Sequence, residues 1–140
     1  MRRAPTARRG ASSIEFALIL PVFLALLAGV LDYGWYLFQQ AGLDAATQAG
    51  CRAGALVDPG EEGMDLAAAA AVAEGEIARS LAAEGRPCEG ACTFEITPLG
   101  EVPAQALACT AQREVAPLFG LSVRSRSLTA RSVARFERQR

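Results

Sequence analysis

Two kinds of residue in this 140-residue chain stand where chemistry is available. One is a lone carboxylate, Glu15, at the start of a long apolar run; the other is a set of four cysteines, Cys51, Cys88, Cys92 and Cys109, all beyond that run. An ionised carboxyl in an apolar helix costs up to roughly 2.5–3.5 kcal/mol at a bilayer's centre and less near its surface, so Glu15 calls for a partner. The even cysteine count fits disulfides formed in an oxidising compartment. A metal centre fits less well, because Cys88 and Cys92 are spaced C-x3-C with no histidine and no second close pair. Spacing alone leaves all three pairings of four cysteines open.

The remaining composition narrows the functional classes. All 14 basic residues are arginine; there is no histidine or lysine, so the commonest general base and the usual amine nucleophile are missing. No P-loop, GxSxG elbow or HExxH pair occurs. Enzymatic activity, a cofactor, a metal and a small-molecule substrate are therefore not expected. Net charge is only -1 but is segregated. Residues 1–10 carry four arginines and no acid, residues 58–114 are strongly acidic, and residues 115–140 carry six arginines against Glu137.

The element that must position Glu15 is the run Phe16–Leu31, which holds no charged residue, followed after Asp32 by the aromatic-rich string Tyr33 to Phe38. A bilayer core needs about 20 helical residues, and this segment can supply them. Four arginines on its N-terminal flank face Asp32 and Asp44 on the other, so the positive-inside rule expects the N-terminus in the cytoplasm and the remainder outside. Asp32 is expected at the outer interface beside an aromatic belt of Tyr33, Trp35 and Tyr36. A cleaved secretory signal fits less well, because its apolar region is about 7–15 residues and carries no carboxylate at its start.

The string Arg8-Arg9-Gly10-Ala11-Ser12-Ser13-Ile14-Glu15-Phe16 resembles the class III leader of type IV pilins. That resemblance implies cleavage by a prepilin peptidase between Gly10 and Ala11, leaving Glu15 as the fifth residue of the mature chain. It also implies that Glu15 meets the N-terminal amine of a neighbouring subunit; an α-amine ordinarily titrates at about 7.7–8.0 and is largely cationic at neutral pH. More narrowly, Ser13 through Phe23, with Pro21 inside, and then Gly29-Val30-Leu31-Asp32-Tyr33-Gly34, resemble the TadE-like family of tight-adherence (Flp-type) pilus proteins, which are minor pilins or pseudopilins. Glu15, Phe16 and Pro21 are the assembly residues so implied. Pro21 removes one helical hydrogen bond and is expected to bend the helix.

Beyond the membrane the small residues Gly42, Ala46, Gly50 and Gly54 recur every four positions, along one helix ridge. Such a ridge lets another helix approach closely, either in a sibling subunit or in this chain's own second helix. The first helix is thus expected over 11–57, ended by Asp58-Pro59-Gly60. A second, amphipathic helix is expected over 64–84 from Leu66, Ala70, Ala73, Ile77 and Leu81, stopped at Gly85-Arg86-Pro87. Short alternating runs then predict strands at 92–97, 106–114 and 121–131, in a small antiparallel sheet. If the first two strands pair around 100–103, Cys92 and Cys109 fall near opposite positions, which makes them one candidate bridge among the three pairings. Arg124, Arg126, Arg131, Arg135, Arg138 and Arg140 form a basic last strand and tail, suited to solvation, to the acidic second helix, or to an anionic partner.

The expected fold class is α+β. Residues 1–10 form a cytoplasmic leader, 11–57 a transmembrane helix extended into a stalk, and 58–140 a head outside the cytoplasm. The expected role is assembly of a Tad (Flp-type) pilus from the inner membrane, with a prepilin peptidase, other pilin-type subunits, the inner-membrane assembly platform and the lipid bilayer as partners. The alternative is an uncleaved membrane-anchored module whose head binds an envelope component.

Overall fold

The structure is a computed structural model and describes residues 9–57, 65–100, 105–119 and 125–135. Among the described residues, two helices and three strands follow in the order α1 (Arg9–Ala55), α2 (Leu66–Ala83), β1 (Cys92–Leu99), β2 (Ala106–Val115) and β3 (Arg126–Arg135). The fold class is α+β, as the pattern of periods predicts. The turn expected at 58–60 and most of the β1–β2 turn lie outside the described residues.

α2 shows why its sequence makes a helix of this length. Asp65 is the N-cap, its carboxylate accepting from the amides of Ala67 and Ala68 at 3.1 Å. Ala69, Ala73, Ile77 and Leu81, at four-residue steps, form its buried stripe. The helix stops in a Schellman motif: the Gly85 amide bonds the Ala82 carbonyl, the Arg86 amide bonds the Leu81 carbonyl, and Gly85 holds φ at 72°, which a side chain would disfavour.

The sheet is antiparallel with order β1-β2-β3. Its register sets Ile96 opposite Cys109 and Phe94 opposite Ala111, and on the other edge Ala111 opposite Ala130. Alternation puts Leu107, Cys109 and Ala111 with Phe94, Ile96, Leu128 and Ala130 on the face that meets the helices. Thr93, Glu95, Gln112, Glu114 and Thr129 on the other face are exposed. The third strand begins at Arg126, five residues later than its composition predicts. The buried residues that give β3 its inward face are Leu128 and Ala130, set by pairing with β2, while residues 121–124 of the expected strand lie outside the described residues.

The core lies between this sheet face and both helices. One cluster joins Leu43 and Ala46 of α1 to Ile77, Leu81, Ala111 and Leu128; a second joins Cys51 and Ala55 to Ala69, Ala73, Leu107 and Cys109. Leu43, Ile77, Leu81, Leu107 and Leu128 are fully buried, each contributing about 1.5–3 kcal/mol relative to exposure. The C-terminal half of α1 is therefore the spine of the head, packed on the chain's own second helix and sheet.

Candidate functional site: the exposed helix and the Asp32 seam

α1 divides at one residue. From Ser13 to Leu31 no side chain is buried; Asp32 is the first buried one, and from Gln39 onward a regular stripe is buried against the head. The 19 residues of this segment rise about 28 Å, close to a bilayer's hydrocarbon thickness of about 30 Å. Among the described residues this is the one helix long and apolar enough to cross a membrane.

Along that half, Gly10 and Ala11 lie in the first turn of α1, and Glu15 and Phe16 follow within two turns, both exposed. Glu15 takes part in no ion pair among the described residues. Pro21 sits inside a helix that continues past it, without an amide to give the Ala17 carbonyl. Ala17, Pro21, Ala25 and Gly29 line one exposed ridge, and a Cβ added at Gly29 would meet nothing within 4 Å.

At the seam the chain after β2 folds down onto α1. The Phe119 amide donates to Asp32 Oδ1 at 2.9 Å, and Asp32 is only 6% exposed. Its second oxygen, Oδ2, is buried with no hydrogen-bond partner among the described residues. Beside it opens a cavity of about 370 Å³ between α1 and the end of β2, bordered by Ala25, Gly29, Tyr36, Pro117 and Arg126. The Arg126 guanidinium lies over the Tyr36 ring, 5.5 Å from its centroid. Position along the helix predicts Asp32 at an interface; it does not reveal that the protein itself covers the carboxylate, because Phe119 is 87 residues away in sequence.

A second polar joint locks the helices. Arg86, just past the Schellman glycine, is 7% exposed, and its Nη1 donates to the Phe38 carbonyl at 3.3 Å and to Gln39 Oε1 at 3.2 Å. It pairs with Glu84 and stacks on Phe38, 4.8 Å from the ring centroid. Burial, and then the nearby positive charge of Arg113, hold its pKa below the usual arginine value. Sequence reading makes Arg86 part of a helix stop; its only signal as a joint is its place immediately after a left-handed glycine, where the side chain turns back onto the helix.

The ridge Gly42, Ala46, Gly50, Gly54 is buried against the chain's own α2. A Cβ at Gly50 would lie 2.6 Å from the Ala73 carbonyl, and one at Gly54 would lie 2.7 Å from that of Ala69. At Gly42 it would run into the Arg86 guanidinium. The neighbouring positions Ala41, Ala45 and Ala49 remain exposed.

All four cysteines are paired, but not as strand geometry predicts. Cys51 bridges Cys109 with Cα atoms 5.7 Å apart, tying α1 to β2, and Cys88 bridges Cys92 with Cα atoms 5.2 Å apart. The expected Cys92–Cys109 bridge fails on register. The hairpin closes from Leu99 opposite Ala106, which sets Cys92 opposite Arg113 and Cys109 opposite Ile96, four residues along the strand. Cys109 points into the core, where Cys51 waits on the buried stripe of α1. The described groups include no cluster of three cysteine or carboxylate side chains able to hold a metal ion. Of the basic strand, Arg126, Arg131 and Arg135 are exposed, while Arg124, Arg138 and Arg140 lie outside the described residues.

No curated protein and no solved structure matches the chain. The family model described as TadE-like protein does match, over residues 10–52, from the first turn of α1 through the Asp32 seam to just beyond Cys51, so along most of that helix the chain is similar to TadE-like proteins.

Proposed function

We propose that this chain is a TadE-like minor pilin or pseudopilin that acts in assembly of a Tad (Flp-type) pilus from the inner membrane. The observation that carries the reading is the segment Ser13–Leu31, largely apolar and without a buried side chain while the rest of α1 is locked into a head, within the residues that match the family model. A helix so presented meets lipid before assembly and other helices after it, with van der Waals packing along ridges such as Ala17, Pro21, Ala25 and Gly29. In this reading the N-terminus is cytoplasmic and the head lies outside. A prepilin peptidase cuts between Gly10 and Ala11, and Glu15 pairs with the amine so released on a neighbouring pilin-type subunit at the assembly platform. Opposite charge offsets the cost of holding Glu15 at the membrane's edge.

The test is the mature N-terminus. Mass spectrometry of membrane-extracted protein from cells with an active prepilin peptidase is expected to find Ala11 first. Met1 intact in that fraction would favour the uncleaved envelope-binding anchor instead. A Glu15→Ala variant is expected to reach the membrane and lose co-purification with pilus subunits; unchanged assembly would remove the pairing role.

A further inference from the structure

We propose that the cavity beside Asp32 is a headgroup site for a phospholipid bearing a primary ammonium, such as phosphatidylethanolamine. The inference rests on Ser13–Leu31 spanning a bilayer, and it needs neither leader cleavage nor filament assembly.

The first observation is an unmet carboxylate oxygen. A carboxylate has roughly four acceptor sites, yet Asp32 takes one bond, from Phe119, and its buried Oδ2 takes none among the described residues. A buried charge without a donor is costly, and a ligand that brings N–H groups to Oδ2 removes that cost. The second observation is a cation on the same cavity wall that does not satisfy the carboxylate. Arg126 lies over the Tyr36 ring and forms no ion pair with Asp32 among the described residues. The cavity thus presents both signs of charge, held apart. The third observation is depth. The wall runs from Tyr36 down to Gly29 and Ala25, which belong to the lipid-exposed half of α1, over about 16 Å of helix rise.

A zwitterionic lipid fits this arrangement with its headgroup folded back along the helix. Its phosphate meets Arg126 beside Tyr36, its ammonium turns down one helical turn to donate to Asp32 Oδ2 beside Trp35, and its glycerol and upper acyl carbons lie in the furrow left by Ala25 and Gly29. A choline headgroup carries the same charge but no N–H, so it cannot satisfy Oδ2. A glycerol headgroup brings no cation at all. A cationic side chain from a second copy could meet the carboxylate, but nothing in such a chain calls for the apolar furrow beneath it.

Trp35 is the only tryptophan and borders the cavity, so its emission reports occupancy. The full-length chain in mild detergent is titrated with short-chain phosphatidylethanolamine, phosphatidylcholine and phosphatidylglycerol. The expected result is a saturable change in Trp35 emission with phosphatidylethanolamine, at an affinity at least about tenfold above the other two, the scale of one charge-assisted hydrogen bond. Asp32→Asn, which keeps an oxygen for the Phe119 amide, is expected to abolish that preference, and Arg126→Gln to weaken all three lipids alike. Equal affinity for the three lipids, or an Asp32→Asn variant that still prefers phosphatidylethanolamine, would overturn the proposal; so would a preference lost only on dilution of the protein, the mark of a second copy in the site. Flotation with phosphatidylcholine vesicles tests the membrane reading separately. A chain that floats yet shows no headgroup preference sinks this inference alone.

Discussion

Phe119 donates its backbone amide to Asp32 across the seam between the head and the apolar helix, and this bond holds residues 116–119, the start of the β2–β3 connection, down on α1. Nearly everything else in the connection's described part is exposed, including Leu118 and Phe119 themselves, so apolar burial contributes little to its position. Asp32→Ala should therefore act locally. Losing the bond costs about 1 kcal/mol, while removing a buried carboxylate with an unmet oxygen offsets that in the global balance. The expected outcome is faster hydrogen exchange at Phe119, by about fivefold to tenfold, with global urea unfolding shifted by less than about 1 kcal/mol. A global loss of several kcal/mol with Phe119 exchange unchanged would contradict this account.

The glycines of the two helices should separate by what surrounds them. Gly50 and Gly54 face backbone carbonyls of α2, which cannot move without parting the helices, so Gly50→Ala and Gly54→Ala should each cost about 1–3 kcal/mol from overpacking. Gly75 on the exposed face of α2 has nothing within 4 Å, so Gly75→Ala should stabilise by up to about 1 kcal/mol through helix propensity. Urea unfolding followed by circular dichroism, with the disulfides intact, gives all three values on one scale.

The parts of the molecule set by local period were legible in the sequence, and the parts set by distant partners were not. The apolar run, α2 and the first two strands follow from residues at spacings of four, three and two, each within a few positions of their observed ends. The glycine ridge declared that a helix would pack on it, but choosing between a sibling and α2 required knowing that the chain doubles back after Val57. The disulfide partners turned on the register of β1 against β2, where a shift of four residues replaces Cys109 with Arg113 opposite Cys92. Asp32 and Arg86 read as an interfacial acid and a helix stop, because their burial comes from segments far off in sequence.

The two disulfides should contribute unequally. Cys51 and Cys109 are separated by 58 residues and join different elements of the core, whereas Cys88 and Cys92 are separated by 4. In the chain-entropy model the longer closure restricts the unfolded chain by about 4 kcal/mol and the shorter by about 2 kcal/mol. The paired substitution Cys51→Ala with Cys109→Ala should lower urea stability by about twice as much as Cys88→Ala with Cys92→Ala. The longer bridge also fixes α1 against β2, so its loss should raise hydrogen exchange along both elements, while loss of the shorter one should affect only the loop around Glu89 and Gly90. Equal losses from the two pairs would place the stabilisation elsewhere than in the unfolded chain.

Gly42 and Arg86 should show the strongest energetic coupling in the head. The Arg86 guanidinium occupies the space over Gly42, bonded to the Phe38 carbonyl and the Gln39 amide oxygen on the same turn of α1. Gly42→Ala alone would push the guanidinium off both acceptors, with an expected loss of about 1.5–3 kcal/mol, the range for hydrogen bonds to charged groups. Arg86→Ala alone should lose a similar amount and leave the buried Gln39 without its donor. In the double variant the new methyl no longer meets a guanidinium, and its higher helix propensity, worth up to about 1 kcal/mol, is realised. The double-mutant cycle should thus give a favourable coupling of about 1.5–4 kcal/mol, so that adding Gly42→Ala to Arg86→Ala leaves stability unchanged or raised. Additive losses would mean that the close approach of α1 and α2 at Gly42 is set by the helix backbones, as it is at Gly50 and Gly54, and not by the arginine between them.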